Sequence, residues 1–403
     1  MPFQRLLFQH RSFTCPRIAA IAFGVTLGAI AVSTPACADP FVPAGDAMIV
    51  ERLRDRPLDR ADQEFRRARA QLRATPHDLA LAINVARRCV EIARRDGDPR
   101  YLGYAQAALA PWWSTPSPPV PVLLMQATIL QSTHAFEPAL AALQRALRTD
   151  PNNGQAWLTQ ATILQVQGRF IEAATSCEKL RGTGATLYAD ACLAELASLT
   201  GREADARPAL ESLSKASIAA NSGVSGGWLA IIQAELAERT GDFEAAERYY
   251  RAAIGSGNDA YSKGAFADFL LDRGRANEVI ALLREEQRTD PLLLRLALAY
   301  RAQRHPDLAG TVAALQARFD AARLRGDTVH RREEARFALH LLDRSDKALK
   351  LALENWAVQK EPADARIVLE SARAAGRAAD ADPVRAFIRD HRLADQRLAA
   401  LLK

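Results

Sequence analysis

Two hydrophobic patterns divide the chain. From Ile18 to Val32 no charged residue occurs, whereas from Ala61 onward apolar residues recur at the three- and four-residue spacing of amphipathic helices. The spacing predicts helices over Ala61–Arg73 and Leu79–Arg95, and Asp98–Pro99 starts another over Tyr101–Leu109. Alternating β-branched runs are nearly absent beside abundant Ala, Leu, Arg and Glu, so an all-β fold or a doubly wound sheet is disfavoured. The chain is expected to be nearly all helix. The connection from Pro111 to Pro119 cannot be helical throughout, because its prolines lack N–H donors and bias their predecessors towards extended backbone.

The uncharged run follows Arg5, Arg11 and Arg17 and ends at Ala36-Cys37-Ala38, the layout of a secretory signal peptide with a small-x-small cleavage site. Its 15 residues fall short of the roughly 20 that span a bilayer as a helix. Cleavage after Ala38 is therefore expected, giving an exported, periplasmic or secreted protein with no membrane span. An uncleaved anchor and lipidation at Cys37 are the alternatives; Thr34-Pro35-Ala36 departs from the lipobox pattern. The cut would lower the net charge from +6 by three arginines to +3, so basicity does not call for a nucleic-acid partner.

The most informative feature is internal. Gln126-Ala127-Thr128-Ile129-Leu130-Gln131 recurs letter for letter 34 residues later as Gln160 to Gln165, and the same offset relates Leu123 to Trp157, Phe136 to Phe170 and Ala139 to Ala173. Small residues continue the phase at Ala105, Ala139, Ala173, Ala206, Ala246, Val279, Ala348 and Ala381, in steps of 34, 34, 33, 40, 33, 69 and 33. The long step of 69 spans two units, and the 40 is one unit with an insertion placed in the polar stretch Ser214–Gly227. Gly168, Gly201, Gly241, Gly274 and Gly376 each stand five residues before the small residue, where a tight hairpin permits positive φ.

This pattern resembles the tetratricopeptide repeat, in which each unit is a helix hairpin. The resemblance implies an all-α, right-handed α-α superhelical solenoid. It suggests a signal peptide over 1–38, N-terminal helices with a degenerate first repeat over 39–119, well-matched units over 120–291, and divergent units over 292–403 closed by a C-terminal capping helix at Ala394–Lys403. In the first divergent unit, Leu292–Arg304 reads as a short first helix, His305-Pro306 as the turn, and the second helix runs to about Leu324.

Family members bind partners along the groove lined by their first helices. Carried onto this chain, the lining is Leu124, Thr128 and Gln131; Gln155, Leu158, Thr162 and Gln165; Tyr188, Ala191, Glu195 and Ser198; Trp228, Ile231, Glu235 and Glu238; Tyr261, Asp268 and Leu271. The clamp that some members use for a terminal carboxylate needs cations and Asn, where this chain has Leu124, Thr128, Leu158 and Thr162. An extended or helical segment with apolar anchors fits better. The family's packing also sets Cys177 beside Cys192, where they could form a disulfide, leaving Cys89 as the third cysteine beyond the signal.

No catalytic or metal-ligating pattern stands out, and no cofactor is implied. His77, His134, His305, His330, His340 and His391 form no His-Glu-x-x-His pair, and Gly223–Gly227 lacks the Lys-Ser or Lys-Thr of a phosphate loop. Arg-rich stretches such as Arg52–Arg73 and Arg323–Arg336 interleave acids and read as solvated helix faces. These readings point to a non-enzymatic scaffold or adaptor of the cell envelope that binds an unidentified protein partner. The alternatives are a component of envelope polysaccharide or outer-membrane assembly machinery, and an enzyme or ligand receptor with an acidic concave site built from Glu195, Glu235 and Asp268.

Overall fold

In a computed structural model the described residues are 60–219, 226–256 and 260–402. The proposed signal segment, with Cys37 and Ala38, lies outside them. Among the described residues every regular element is a helix. Four helices come first: α1 (Arg60–Ala74), α2 (Leu79–Asp96), α3 (Arg100–Ala108) and the short α4 (Ala110–Trp113). Hairpins follow: α5 (Val120–Ser132) with α6 (Phe136–Thr149), α7 (Gly154–Val166) with α8 (Phe170–Gly182), and α9 (Thr186–Leu199) with α10 (Glu203–Ala219). Next are α11 (Gly226–Thr240) with α12 (Phe243–Ser256), α13 (Ala260–Asp272) with α14 (Ala276–Leu283), α15 (Asp290–Gln303) with α16 (Leu308–Leu324), and α17 (Arg331–His340) with α18 (Ser345–Trp356). After α19 (Pro362–Ala374), a 3₁₀ turn over Ala378–Ala381, α20 (Asp382–Asp390) and α21 (Gln396–Ala399) complete the fold.

The hairpins stack as a TPR-like solenoid, and local chemistry explains their phase. All eight small residues of the repeat are buried, none more than 1% exposed, because a larger side chain there would hold the two helices apart. The five turn glycines adopt φ between 65° and 83°. His134 (φ 58°) and Asp343 (φ 54°) stand in the same place before Ala139 and Ala348, so two units make the left-handed turn without glycine. Asn153 caps α7 by accepting from the Ala156 amide at 3.0 Å, and Asp78 caps α2 through the Leu81 amide at 3.0 Å. The polar stretch after Ser214 is not wholly an insertion loop: α10 continues through Ala219 and α11 starts at Gly226, so much of the added length is helix.

The arrangement departs from an open rod. Two observations show that the superhelix closes on itself. One apolar cluster mixes Leu143, Ile163 and Leu196 of the early units with Val368, Val384 and Leu398 of the last ones. The Arg366 guanidinium of α19 also pairs with both Asp272 oxygens of α13, at 2.6 and 2.8 Å. The tail follows the row of early turns: Phe387 lies against Gly168, Arg392 against Gly201 and Gln396 against Gly241. Glycine matters there because a Cβ at Gly168 would stand 2.7 Å from the Phe387 ring. The final segment packs on earlier units: α21 lies against α11 and α19, with Gln396 donating to the Thr240 carbonyl at 3.3 Å. Small rotations between units accumulate until the last hairpins meet the inner side of the first ones.

Candidate functional site

The closed superhelix leaves a cavity of about 300 Å³ on its inner side. Successive first helices deliver its walls. The C-terminal ends of α7, α9 and α11 bring Gln165, Glu195 and Glu235, and α13 brings Tyr261 and Asp268. Opposite them stand Arg295 of α15, Arg332 and Arg336 of α17, and Lys360 just before α19.

Most of these charges are matched. Asp268 accepts from Arg295 at 2.6 Å and from Arg336 at 2.8 Å, tying α13 to both α15 and α17. Arg295 also donates to the Gly264 carbonyl at 3.0 Å, an approach along the helix backbone that the missing side chain of Gly264 leaves clear. Burial works against an ionised Asp268, but the two guanidiniums outweigh it and hold the carboxyl well below its usual range. Arg332 donates to Glu361 at 2.7 Å and to the fully buried Asp364 at 3.2 Å, and Asn355 donates to Asp364 at 2.8 Å. Arg397 of α21 approaches Glu238 to 3.2 Å, and Tyr250 donates to the same carboxylate at 2.6 Å.

Glu195 and Glu235 differ from these acids. Each accepts from a neutral donor, Gln165 at 2.6 Å for Glu195 and the Tyr261 hydroxyl at 2.6 Å for Glu235, and neither forms an ion pair among the described residues. Burial pushes Glu195 up to about 7, opposed by the Gln165 hydrogen bond and by Arg239. Burial raises Glu235 too, against Arg239 and the Tyr261 hydrogen bond. Tyr261 lines the cavity, and 59% of its surface remains accessible.

Of the residues expected along the groove, Gln165, Glu195, Glu235, Glu238, Tyr261 and Asp268 are brought together here. Leu124, Thr128, Gln131, Gln155, Leu158 and Thr162 lie outside the cavity on α5 and α7. Tyr188 and Trp228 stack on each other with ring centroids 5.8 Å apart, half-buried against the core. Ile231, expected in the groove, is 7% exposed and belongs to the core, as does the fully buried Ala191; the neighbouring Ile232 lines the cavity instead. Cys177 and Cys192 are joined, with Cα atoms 5.9 Å apart, and Cys89 is free and buried.

The basic wall escaped sequence reasoning. Arg332 and Arg336 were expected on a solvated face, but the superhelix turns α17 inward, where Arg332 meets Asp364 of α19 and Arg336 meets Asp268 of α13. A signal existed for Arg295, a lone cation in the apolar run Leu292 to Leu298. His340 lies 3.1 Å from Glu370 on α19, an intramolecular partner. Among the described residues no group of His, Cys, Asp and Glu is arranged to hold a metal ion. No described helix is long and apolar enough to cross a membrane.

No protein-family model matches the sequence, and no curated protein does. Solved structures do. The APC/C hetero-tetramer Cut9–Hcn1 is 14% identical over 77% of this chain, with a TM-score of 0.38, and the chain spans 52% of that match's length. The Rap protein complexed with Competence and Sporulation Factor is 12% identical over 85% of this chain and 94% of its own, with a TM-score of 0.46. The TPR domain of P58(IPK) is 14% identical over 70% of this chain and 96% of its own, with a TM-score of 0.23. What the cavity holds must be read from its own residues.

Proposed function

We propose that the chain is a non-enzymatic interaction scaffold, exported through the segment that ends at Ala38, and that it docks a protein of the cell envelope on the part of its inner helices that its own last units leave uncovered. One observation carries this reading. Leu124 and Thr128 on α5 recur 34 residues later as Leu158 and Thr162 on α7, so adjacent units present the same pair in register. Both threonine hydroxyls donate back to their own helix, Thr128 to the Leu124 carbonyl at 2.9 Å and Thr162 to the Leu158 carbonyl at 3.0 Å. The strip therefore offers apolar and methyl surface with few unmet donors, suited to the apolar anchors of an extended or helical segment. A rigid repeat array presents such anchors without ordering a loop at each one.

Site-specific photocrosslinking in intact cells tests the docking surface. A crosslinker at Thr162 should trap a discrete envelope protein, and one at Thr175, exposed on the outer helix α8, should not. Equal trapping at both positions, or none at Thr162, would refute the strip as the docking surface. Terminal sequencing of the mature protein tests export, which requires Asp39 as the first residue.

A further inference from the structure

The first described helix carries an inference that goes beyond scaffolding and stands independently of it. α1 turns Phe65, Ala68 and Leu72 into the core it shares with α2. On its other side Arg60, Gln63, Arg66, Arg67, Ala70, Arg73 and Ala74 are all exposed. Each residue advances about 100° round a helix, so these positions fill an arc of about 140° opposite Leu72. Four of them are arginines and none is an acid. Asp62 and Glu64 interleave the arginines in sequence, but the helix carries them to the two flanks of the arc. A stretch that reads as balanced along the chain therefore becomes one-sided when coiled. Arg60 pairs with Glu64 at 2.9 Å, whereas Arg66, Arg67 and Arg73 form no ion pair among the described residues. At the edge of the arc, Arg69 lies over the rings of Phe65 at 5.7 Å and Tyr104 at 5.1 Å, and Tyr104 is 45% exposed.

We infer that this face attaches the chain to an anionic phospholipid surface, with headgroup phosphates as the counter-ions of Arg66, Arg67 and Arg73. The pattern of the face selects the occupant. Its arginines are spread along about 20 Å of helix axis and separated by Gln63, Ala70 and Ala74, so it holds no large apolar side chain to anchor a protein partner. Headgroups that diffuse in the bilayer can gather under each guanidinium, and such a surface asks for charge rather than matched shape. Tyr104 adds, beside the arc, an amphipathic ring of the kind that settles at headgroup level. The apolar side of α1 is already taken by the core, so the helix does not insert as an amphipathic anchor would. Attachment is electrostatic, reversible and sensitive to salt. Each arginine near an anionic surface raises partition about fivefold, so three raise it roughly a hundredfold.

The test is vesicle flotation of the protein purified as it accumulates in cells, with vesicles of phosphatidylcholine alone and of phosphatidylcholine with about two-fifths phosphatidylglycerol, in about 0.05 M salt. Partition into the anionic vesicles should exceed partition into the neutral ones by on the order of a hundredfold, and the ratio should fall close to one in about 0.5 M salt. Arg66→Gln, Arg67→Gln and Arg73→Gln made together should lower the ratio at least about tenfold. Arg248→Gln, Arg325→Gln and Arg373→Gln made together remove the same charge from exposed positions elsewhere, and should lower it less than about threefold. All six side chains are exposed, so both variants should keep the circular dichroism spectrum and urea midpoint of the unsubstituted chain. Binding that does not distinguish the two vesicles, or that falls equally in the two variants, would overturn the proposal. Polyphosphate is the competing probe. If it binds more tightly per phosphate than the anionic vesicles and loses binding only in the first variant, the partner is a soluble polyanion and the membrane assignment is wrong.

Discussion

Replacing Gly168 by alanine perturbs the place where the last units meet the early ones. The residue has φ of 73°, and an added Cβ would lie 2.7 Å from Cε2 and Cζ of Phe387 and 3.1 Å from Cδ of Lys360. An aromatic ring tip can usually swing away, but this one is held. Phe387 packs edge-on to Trp356 at 5.2 Å, tilted to Phe170 at 6.0 Å and against His391 at 4.3 Å. Gly274 is the control. Its φ is 69°, yet nothing lies within 4 Å of its would-be Cβ. Both substitutions carry the cost of left-handed backbone, about 1–2 kcal/mol. Gly168→Ala adds overpacking, about 1–3 kcal/mol. The difference between the variants should therefore be about 2 kcal/mol, which corresponds to roughly a thirtyfold change in an opening equilibrium. Amide exchange followed by mass spectrometry reads it directly: peptides covering residues 382–393 should exchange faster in Gly168→Ala and stay near wild type in Gly274→Ala. Identical urea midpoints and identical exchange in the two variants would refute the contact.

Asp268→Asn should destabilise the chain by about 3 kcal/mol in urea denaturation, since Arg295 and Arg336 would lose their shared counter-ion, and the loss should persist in high salt because the pair is enclosed. Replacing Cys177 and Cys192 together by serine should cost about 3 kcal/mol, the expected loop-closure contribution at a separation of 15 residues, and reduction of the native chain should lower its midpoint equally. Glu195→Gln should change the pH dependence of stability. The folded chain holds the Glu195 proton to about pH 7 against an ordinary 4.5, so the native state binds more protons than the unfolded state in that window. Stability must therefore fall as pH rises through it, and the variant should gain about 2 kcal/mol over wild type above the window and little below it, as measured by denaturation midpoints.

What was legible in the chain is what short-range contacts determine. Ala139 and Ala173 must be small because the partner helix lies one turn away in the same hairpin, and Gly168 must turn because Phe170 starts the next helix. Those demands recur every unit, so they appear as a period. Closure has no such signature. Arg366 meets Asp272 across 94 residues and Gln396 meets Thr240 across 156, and neither pair stands at repeat spacing. The path between them is set by small rotations at every interface, which no single position records. The acidic half of the cavity was visible because Glu195, Glu235 and Asp268 sit in well-matched units. Arg332 and Lys360 come from divergent ones, where inward and outward faces cannot be told apart until the curvature is known.

The central claim is that the last units close over the inner side of the first, and the amide of Lys360 tests it most directly. Its acceptor is the carbonyl of Val166 at 2.8 Å, a bond that exists only if the superhelix is closed. Site-resolved hydrogen exchange should find the Lys360 amide protected to a degree comparable with the helical amides of α7. Exchange at the rate of an exposed loop amide, with α7 itself protected, would contradict closure.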